Sequence, residues 1–148
     1  MSKAMGRVIQ QNRKEILAGW HGKALALFSE KMARGTPIFD LLHEAMGMIL
    51  DGFEEGGESC TEGLSSFSRI FAIHPFPPSR SMRLFFELQT ILMAFVSDDE
   101  SRDLLQTRIK EIMLEACDDF MAHREKIYQL KVEERQRSMF MALRRAEG

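Results

Sequence analysis

The four histidines, His21, His43, His74 and His123, are the side chains of this sequence best suited to ligate a metal or to move a proton near neutral pH. Haem ligation would require one of them to face an apolar cavity. His43 follows Leu41 and Leu42 in an amphipathic segment, and His74 opens the run His74-Pro75-Phe76-Pro77-Pro78 beside an aromatic stretch, so these two are the haem candidates. No haem-specific motif accompanies either. No cofactor is therefore expected, with haem kept as the alternative. Asp119 and His123 stand at i and i+4, and Asp40 and His43 at i and i+3, spacings that a metal can use. A di-iron bundle, however, needs two carboxylate-x-x-His elements and two further inward carboxylates. Only Asp40-x-x-His43 is of that kind, and solvated polar faces explain both pairs more simply. H-E-x-x-H, the Walker loop, G-x-G-x-x-G and G-x-S-x-G are all absent, leaving no catalytic residue to name and a non-enzymatic protein as the expectation.

Two apolar clusters remain as candidate binding surfaces. Phe71, His74, Phe76 and Phe85 converge on the proline-rich stretch and form a candidate ligand corner, with Phe86 and Phe95 nearby in sequence. Aromatic residues at helical spacing are also what an ordinary core contains. Met139, Phe140, Met141 and Leu143 follow the charged run KVEERQRS and form a candidate partner or dimer interface. Arg135, Arg137, Arg144 and Arg145 make this end basic, but Glu133, Glu134 and Glu147 are interleaved, as on a solvated helix rather than a nucleic-acid site.

Composition sets the limits. The 148 residues carry a formal net charge of -2 and are 45% hydrophobic, enough to bury one core and without a field that attracts nucleic acid or an anionic membrane. Cys60 and Cys117 form no C-x-x-C, and the opening MSKAMGRVIQQNRK has no apolar signal core. A reduced, cytoplasmic protein is expected. The longest apolar stretch, within Leu84 to Val96, is interrupted by Glu87 and Gln89 and is too short to span a bilayer.

Helices must position these residues. All 4 prolines and all of the 10 glycines except Gly148 precede Ser79, and they cut the first half into short helices. Ile9, Ile16, Trp20, Ala24 and Leu27 predict a first helix from about Lys3 to Met32, weakened by Gly19 and Gly22. Thr36 before Pro37 predicts an N-cap and a second helix to about Phe53, burying Ile38, Leu41, Leu42, Ala45, Ile49 and Phe53. Ser59 with Glu62 fits a capping box for a third helix from about Cys60 that buries Leu64, Phe67, Ile70 and Phe71. A fourth, from about Ser79 to Val96, is apolar around most of its circumference and is expected to be the central buried helix. Ser97 and Glu100 predict the next cap. From about Asp99 to Ala146 runs one helix on the order of 70 Å long, against a domain diameter of roughly 40 Å. Its first part, through Leu104, Leu105, Ile109, Ile112, Met113, Ala116, Phe120, Ile127 and Leu130, is expected to pack on the core. The remainder should project or pair.

Three stretches together resemble the N-terminal domain of the RsbT co-antagonist RsbRD proteins. Lys14-Glu15-Ile16-Leu17 with Trp20 resembles that family's opening helix. Arg69-Ile70-Phe71-Ala72-Ile73-His74-Pro75-Phe76-Pro77-Pro78-Ser79 is similar to its motif R-I-R-A-V-Q-D-F-S-P-S, and Arg124-Glu125-Lys126-Ile127-Tyr128, with Val132, Glu134 and Arg137, to its exit-helix segment REKIY. Phe71, His74 and Pro75 stand where the family has Arg, Gln and Asp, and Pro77 where it has a helix-capping serine, so Ser79 becomes the candidate cap. The likeness covers only the sensor half of larger relatives that continue into a STAS domain, so kinase binding, phosphorylation and stressosome assembly are not carried over. It implies a dimeric, globin-like fold without haem and an energy- or redox-linked regulatory role.

The sequence is therefore read as one all-α domain over residues 1–148, globin-like or a bundle of about five helices, with a core at 1–130 and a projecting end at 131–148. Its expected function is that of a non-catalytic sensory module acting through homodimerisation and an unidentified protein partner. A haem or small apolar-ligand binding protein, and a ligand-free adaptor docking through the last helix, are the alternatives.

Overall fold

The computed structural model describes residues 3–28 and 37–147, and the chain over those residues is helical with no strand. Six helices are described: α1 (Lys3–Gln11), α2 (Arg13–Leu25), α3 (Ile38–Asp51), α4 (Gly57–Ala72), α5 (Pro78–Met93) and α6 (Asp99–Glu147). None is long and apolar enough to cross a membrane.

The expected first helix is two helices. Asn12 leaves the helical region at φ -117°, ψ 18°, and its side-chain amide donates to the Val8 carbonyl at 2.9 Å. An Asn that bonds its own backbone offers the chain an alternative to continuing the helix, and the break falls there rather than at Gly19 or Gly22. α2 ends at Leu25, short of Met32, in a tight turn to Phe28. The cap expected at Thr36 lies outside the described residues.

α4, not α5, is the central element. It packs against both α3 and α6 and buries Cys60, Gly63, Leu64, Phe67, Ser68, Ile70, Phe71 and Ala72. α5 lies to one side, against α2 and α6, so only Leu84, Phe85, Leu88 and Leu92 of its large residues are buried while Phe86 is exposed. Trp20, Phe67, Phe71 and Phe85 form the middle of the core, with ring centroids 4.9 to 6.1 Å apart. Trp20 is fully buried and its indole N–H donates to the Leu84 carbonyl at 2.8 Å, which satisfies the one polar group in that stack.

One face is rotated relative to expectation, and another is as expected but narrower. On α3 the buried residues are Leu42, Ala45, Met46, Ile49 and Leu50, whereas Leu41 is 52% exposed. On α6 they are Leu105, Ile109, Ile112, Ala116 and Phe120, with Met113 and Ile127 half-buried and Leu104 and Leu130 exposed.

The predicted caps also move. Ser59 donates its hydroxyl to Met48 on α3 at 3.1 Å instead of capping α4, which begins after Gly56 at φ 80°. Asp98, not Ser97, caps α6: its Oδ2 accepts the Ser101 N–H at 2.9 Å, and this bond holds its carboxyl below the ordinary carboxylate range. α5 starts directly with Pro78 at its first position, which needs no N–H partner there, and Ser79 makes no cap.

The α3–α4 crossing depends on one missing side chain. A Cβ at Gly63 would stand 2.8 Å from the Ala45 carbonyl oxygen and 2.9 Å from the Met48 Cβ, contacts that only a shift of the helices would relieve. Gly63→Ala should therefore lower the unfolding free energy by ~1–3 kcal/mol, read from urea unfolding. An unchanged midpoint would mean that the crossing is loose.

Candidate functional site

The corner between α4 and α5 is poor in donors and rich in acceptors. Three prolines, Pro75, Pro77 and Pro78, have no N–H, and the last carbonyls of α4 have no partner within their helix. The missing donors come from α6. Arg124 donates from Nε to the Ala72 carbonyl at 2.8 Å and from Nη2 to those of His74 and Phe76 at 2.8 and 2.7 Å. Its guanidinium lies 4.7 Å from the centroid of the Phe120 ring, so the cation is stacked as well as hydrogen-bonded. A planar, permanently charged fork suits three divergent carbonyls at the negative end of a helix. Arg108, 16 residues earlier on the same helix, acts similarly at the α3–α4 corner, where it donates to the Phe53 carbonyl and lies 3.7 Å from the Cys60 sulfur. Burial pushes the Cys60 thiol up despite that cation.

Three of the four residues of the predicted ligand corner meet. Phe71 and Phe76 are 6.1 Å apart and His74 and Phe76 5.9 Å, and Phe28 touches all three at 5.1 to 5.5 Å. Phe85 is separate, buried in the Trp20–Phe67 stack. Phe71 and Phe85 are fully buried, while His74 and Phe76 are half-buried. An open cleft of about 420 Å³ lies beside the corner, between Ile73, His74 and Pro75 on one side and Arg124, Tyr128 and Lys131 on the other. A second groove, of about 330 Å³, runs between α3 and α4 over Leu41, Met48, Ile70 and Ile73, with Glu44 and Arg69 at its edges.

Sequence reasoning missed Phe28, Arg108 and Arg124 as site residues. The signal for the arginines was present: Arg124 sits at i+4 from Phe120 and i−3 from Ile127, and a cation on an apolar face needs a buried partner.

Three of the four histidines are engaged by backbone carbonyls. His74 Nδ1–H donates to the Ile70 carbonyl at 2.6 Å, His123 Nε2–H to that of Ser65 at 3.1 Å, and His21 Nε2–H to that of Phe39 at 3.1 Å. His43 is exposed, 5.0 Å from the His21 ring. Asp119, whose carboxyl burial raises, remains with His123 on α6. Among the described residues no group of three or more His, Cys, Asp or Glu side chains is gathered closely enough to hold a metal ion.

At the far end of the molecule, Met139, Phe140, Met141 and Leu143 are 50 to 66% exposed, and every residue from Glu133 to Glu147 is exposed.

No family model matches the chain, and no solved structure does. One relative is an uncharacterized protein of Archaeoglobus fulgidus. It is 28% identical over 143 residues, spanning 88% of this chain and 89% of the relative. The likeness covers most of both chains and brings no activity with it.

Two predictions follow from this geometry. Arg124→Met should lower the unfolding free energy by about 3 kcal/mol, because three corner carbonyls lose a charged donor, and Arg124→Lys should restore only part of it. Equal urea midpoints for all three proteins would show that the clamp is idle. The second concerns His21, whose pKa is lowered from 6.5 by burial first and then by His43, against the opposing effects of the Phe39 carbonyl and Asp40. Because the folded pKa lies below the unfolded one, the neutral ring's contribution is present above about pH 6.5 and is lost as pH falls through the folded pKa. Relative to His21→Gln, the native protein should lose stability as pH falls below 6.5, and the NMR titration of His21 should give a value below 6.5. A value at or above 6.5 would contradict it.

Proposed function

We propose that this protein is a non-catalytic regulatory module in which the α4–α5 corner receives a signal and α6 passes it on through self-association and contact with a protein partner. The observation that carries this is the Arg124 clamp. A ligand or partner that displaces Ile73, His74 or Phe76 must also disturb the three carbonyls held by Arg124, and Arg124 belongs to the same continuous helix as Met139, Phe140, Met141 and Leu143. Coupling of this kind requires two arrangements of the corner that the signal favours unequally. The helical architecture is compatible with the dimeric, globin-like, RsbRD-type sensor domain that the sequence resembles, and a cytoplasmic location agrees with the lack of a membrane-spanning helix among the described residues.

A second reading, a small apolar-ligand binding protein, is favoured by the groove of about 330 Å³ between α3 and α4, which offers Leu41, Met48, Ile70 and Ile73 to a ligand.

Light scattering on the full chain and on a version ending at Leu130 tests the main proposal. The full chain should have the mass of a dimer and the shortened one that of a monomer. A monomeric full chain would remove self-association from the mechanism and leave the last helix to a different protein.

A further inference from the structure

α6 carries a second apolar face, opposite the one that packs on the core. At about 100° per residue, Leu114, Met121, Tyr128, Val132, Met139 and Leu143 fall within an arc of about 60°, centred roughly half a turn from Leu105, Ile112 and Ala116. Val132 is half-buried, and the other five are exposed, Leu114 by 66% and Tyr128 by 68%. The stripe extends over ~44 Å, from the flank of the folded core to the far end of the helix. Glu125 is its only charged member.

Charge along the helix indicates what covers this stripe. Residues 112 to 122 contain Glu115, Asp118 and Asp119 and no base, whereas residues 135 to 145 contain Arg135, Arg137, Arg144 and Arg145 and no acid. Parallel, in-register pairing of two copies would set arginines against arginines and carboxylates against carboxylates. Antiparallel pairing sets each acidic segment against the basic segment of the second copy.

We infer that two copies of this chain associate through an antiparallel α6–α6 pair, seamed by the outward stripe and centred near Tyr128. The inference deepens the self-association proposed above and rests on it. In this register Leu114 opposes Leu143 of the second copy, and Glu115 lies on the same flank of the seam as Arg144 of the second copy. The two cores lie on opposite sides of the pair, because the stripe points away from the core face. The symmetry axis passes about one helical turn from Arg124, so the clamped corners of both copies meet the seam at its centre. Displacement of either corner then acts on the middle of the shared helix pair.

Cysteine crosslinking in the full chain, with Cys117→Ser throughout, separates the arrangements. Leu114→Cys and Leu143→Cys, each shown by circular dichroism to keep its helix content, are oxidised alone and as an equal mixture. The antiparallel register predicts that the mixture gives a crosslinked dimer and that neither variant alone does. Crosslinking of Leu143→Cys with itself would establish a parallel pair and overturn the inference while leaving self-association in place. A dimer by light scattering with no crosslink in the mixture would move the contact off the stripe, again overturning the inference alone. A monomeric full chain would remove both.

Discussion

Three carbonyl oxygens at one corner, of which only that of His74 also receives a nearby backbone N–H, from Phe76 at 2.8 Å, set the layout of this molecule. The end of α4 and the turn after it present the carbonyls of Ala72, His74 and Phe76 where three prolines have removed donors. Buried acceptors without partners are costly, so the fold must bring a donor to them. A single guanidinium on α6 reaches all three. That requirement fixes the rotation of α6 about its axis, because Arg124 must face the corner while Phe120 and Ile127, one turn before and one turn after, stay against the core. Once α6 is rotated in this way, the residues facing outward along its length are fixed too.

The rest of α6 follows the same logic with smaller groups. Ser68 donates its hydroxyl to the Ala116 carbonyl at 3.1 Å, a contact for which Ala116 leaves room. Arg108 repeats the arginine solution at the end of α3. α6 therefore holds the ends of α3 and α4 and the interior of α4, and acts as the spine of the domain. Gly63 makes the complementary adjustment on the other side of α4, bringing α3 close enough for α4 to be covered on both sides.

What was legible in the sequence is what local periodicity determines. Leu64, Phe67, Ile70 and Phe71 recur at helical spacing, and all four are buried. The all-helical class and the uninterrupted last helix were likewise readable, because glycine, proline and apolar period act over a few residues, although the second expected helix ends at Asp51, with Gly52 as its cap. Where two local solutions compete, tertiary contacts decided. Leu41 and Leu42 are adjacent and equally apolar, and only the position of α4 selects Leu42. Ser59 was an adequate cap in sequence, but α3 lies within reach of its hydroxyl. Asp98 and Ser97 are interchangeable as cap residues until the geometry of the turn selects one. The candidate corner was partly legible for the same reason: Phe71, His74 and Phe76 are neighbours along the chain, whereas Phe28 and Arg124 reach it only through the fold.

The last helix shows a subtler limit. Reading it by position gives an apolar first part, a charged middle and an apolar end, and suggests two separate roles joined end to end. Reading it by face gives two stripes on opposite sides of one cylinder. Leu105, Ile109, Ile112, Ala116 and Phe120 are buried on one side, and Leu114, Met121, Tyr128, Met139 and Leu143 are exposed on the other. Opposed stripes cancel in any measure of overall amphipathicity, so a helix apolar on two sides resembles one that is amphipathic on none. Heptad reasoning fails for a related reason: spacings of seven and four residues keep the outer stripe straight at the α-helical period instead of winding it as a coiled-coil seam. The direction of the inner stripe comes from the Arg124 corner, and the direction of the outer one follows from it. The same clamp that closes the core therefore aims the uncovered face of α6.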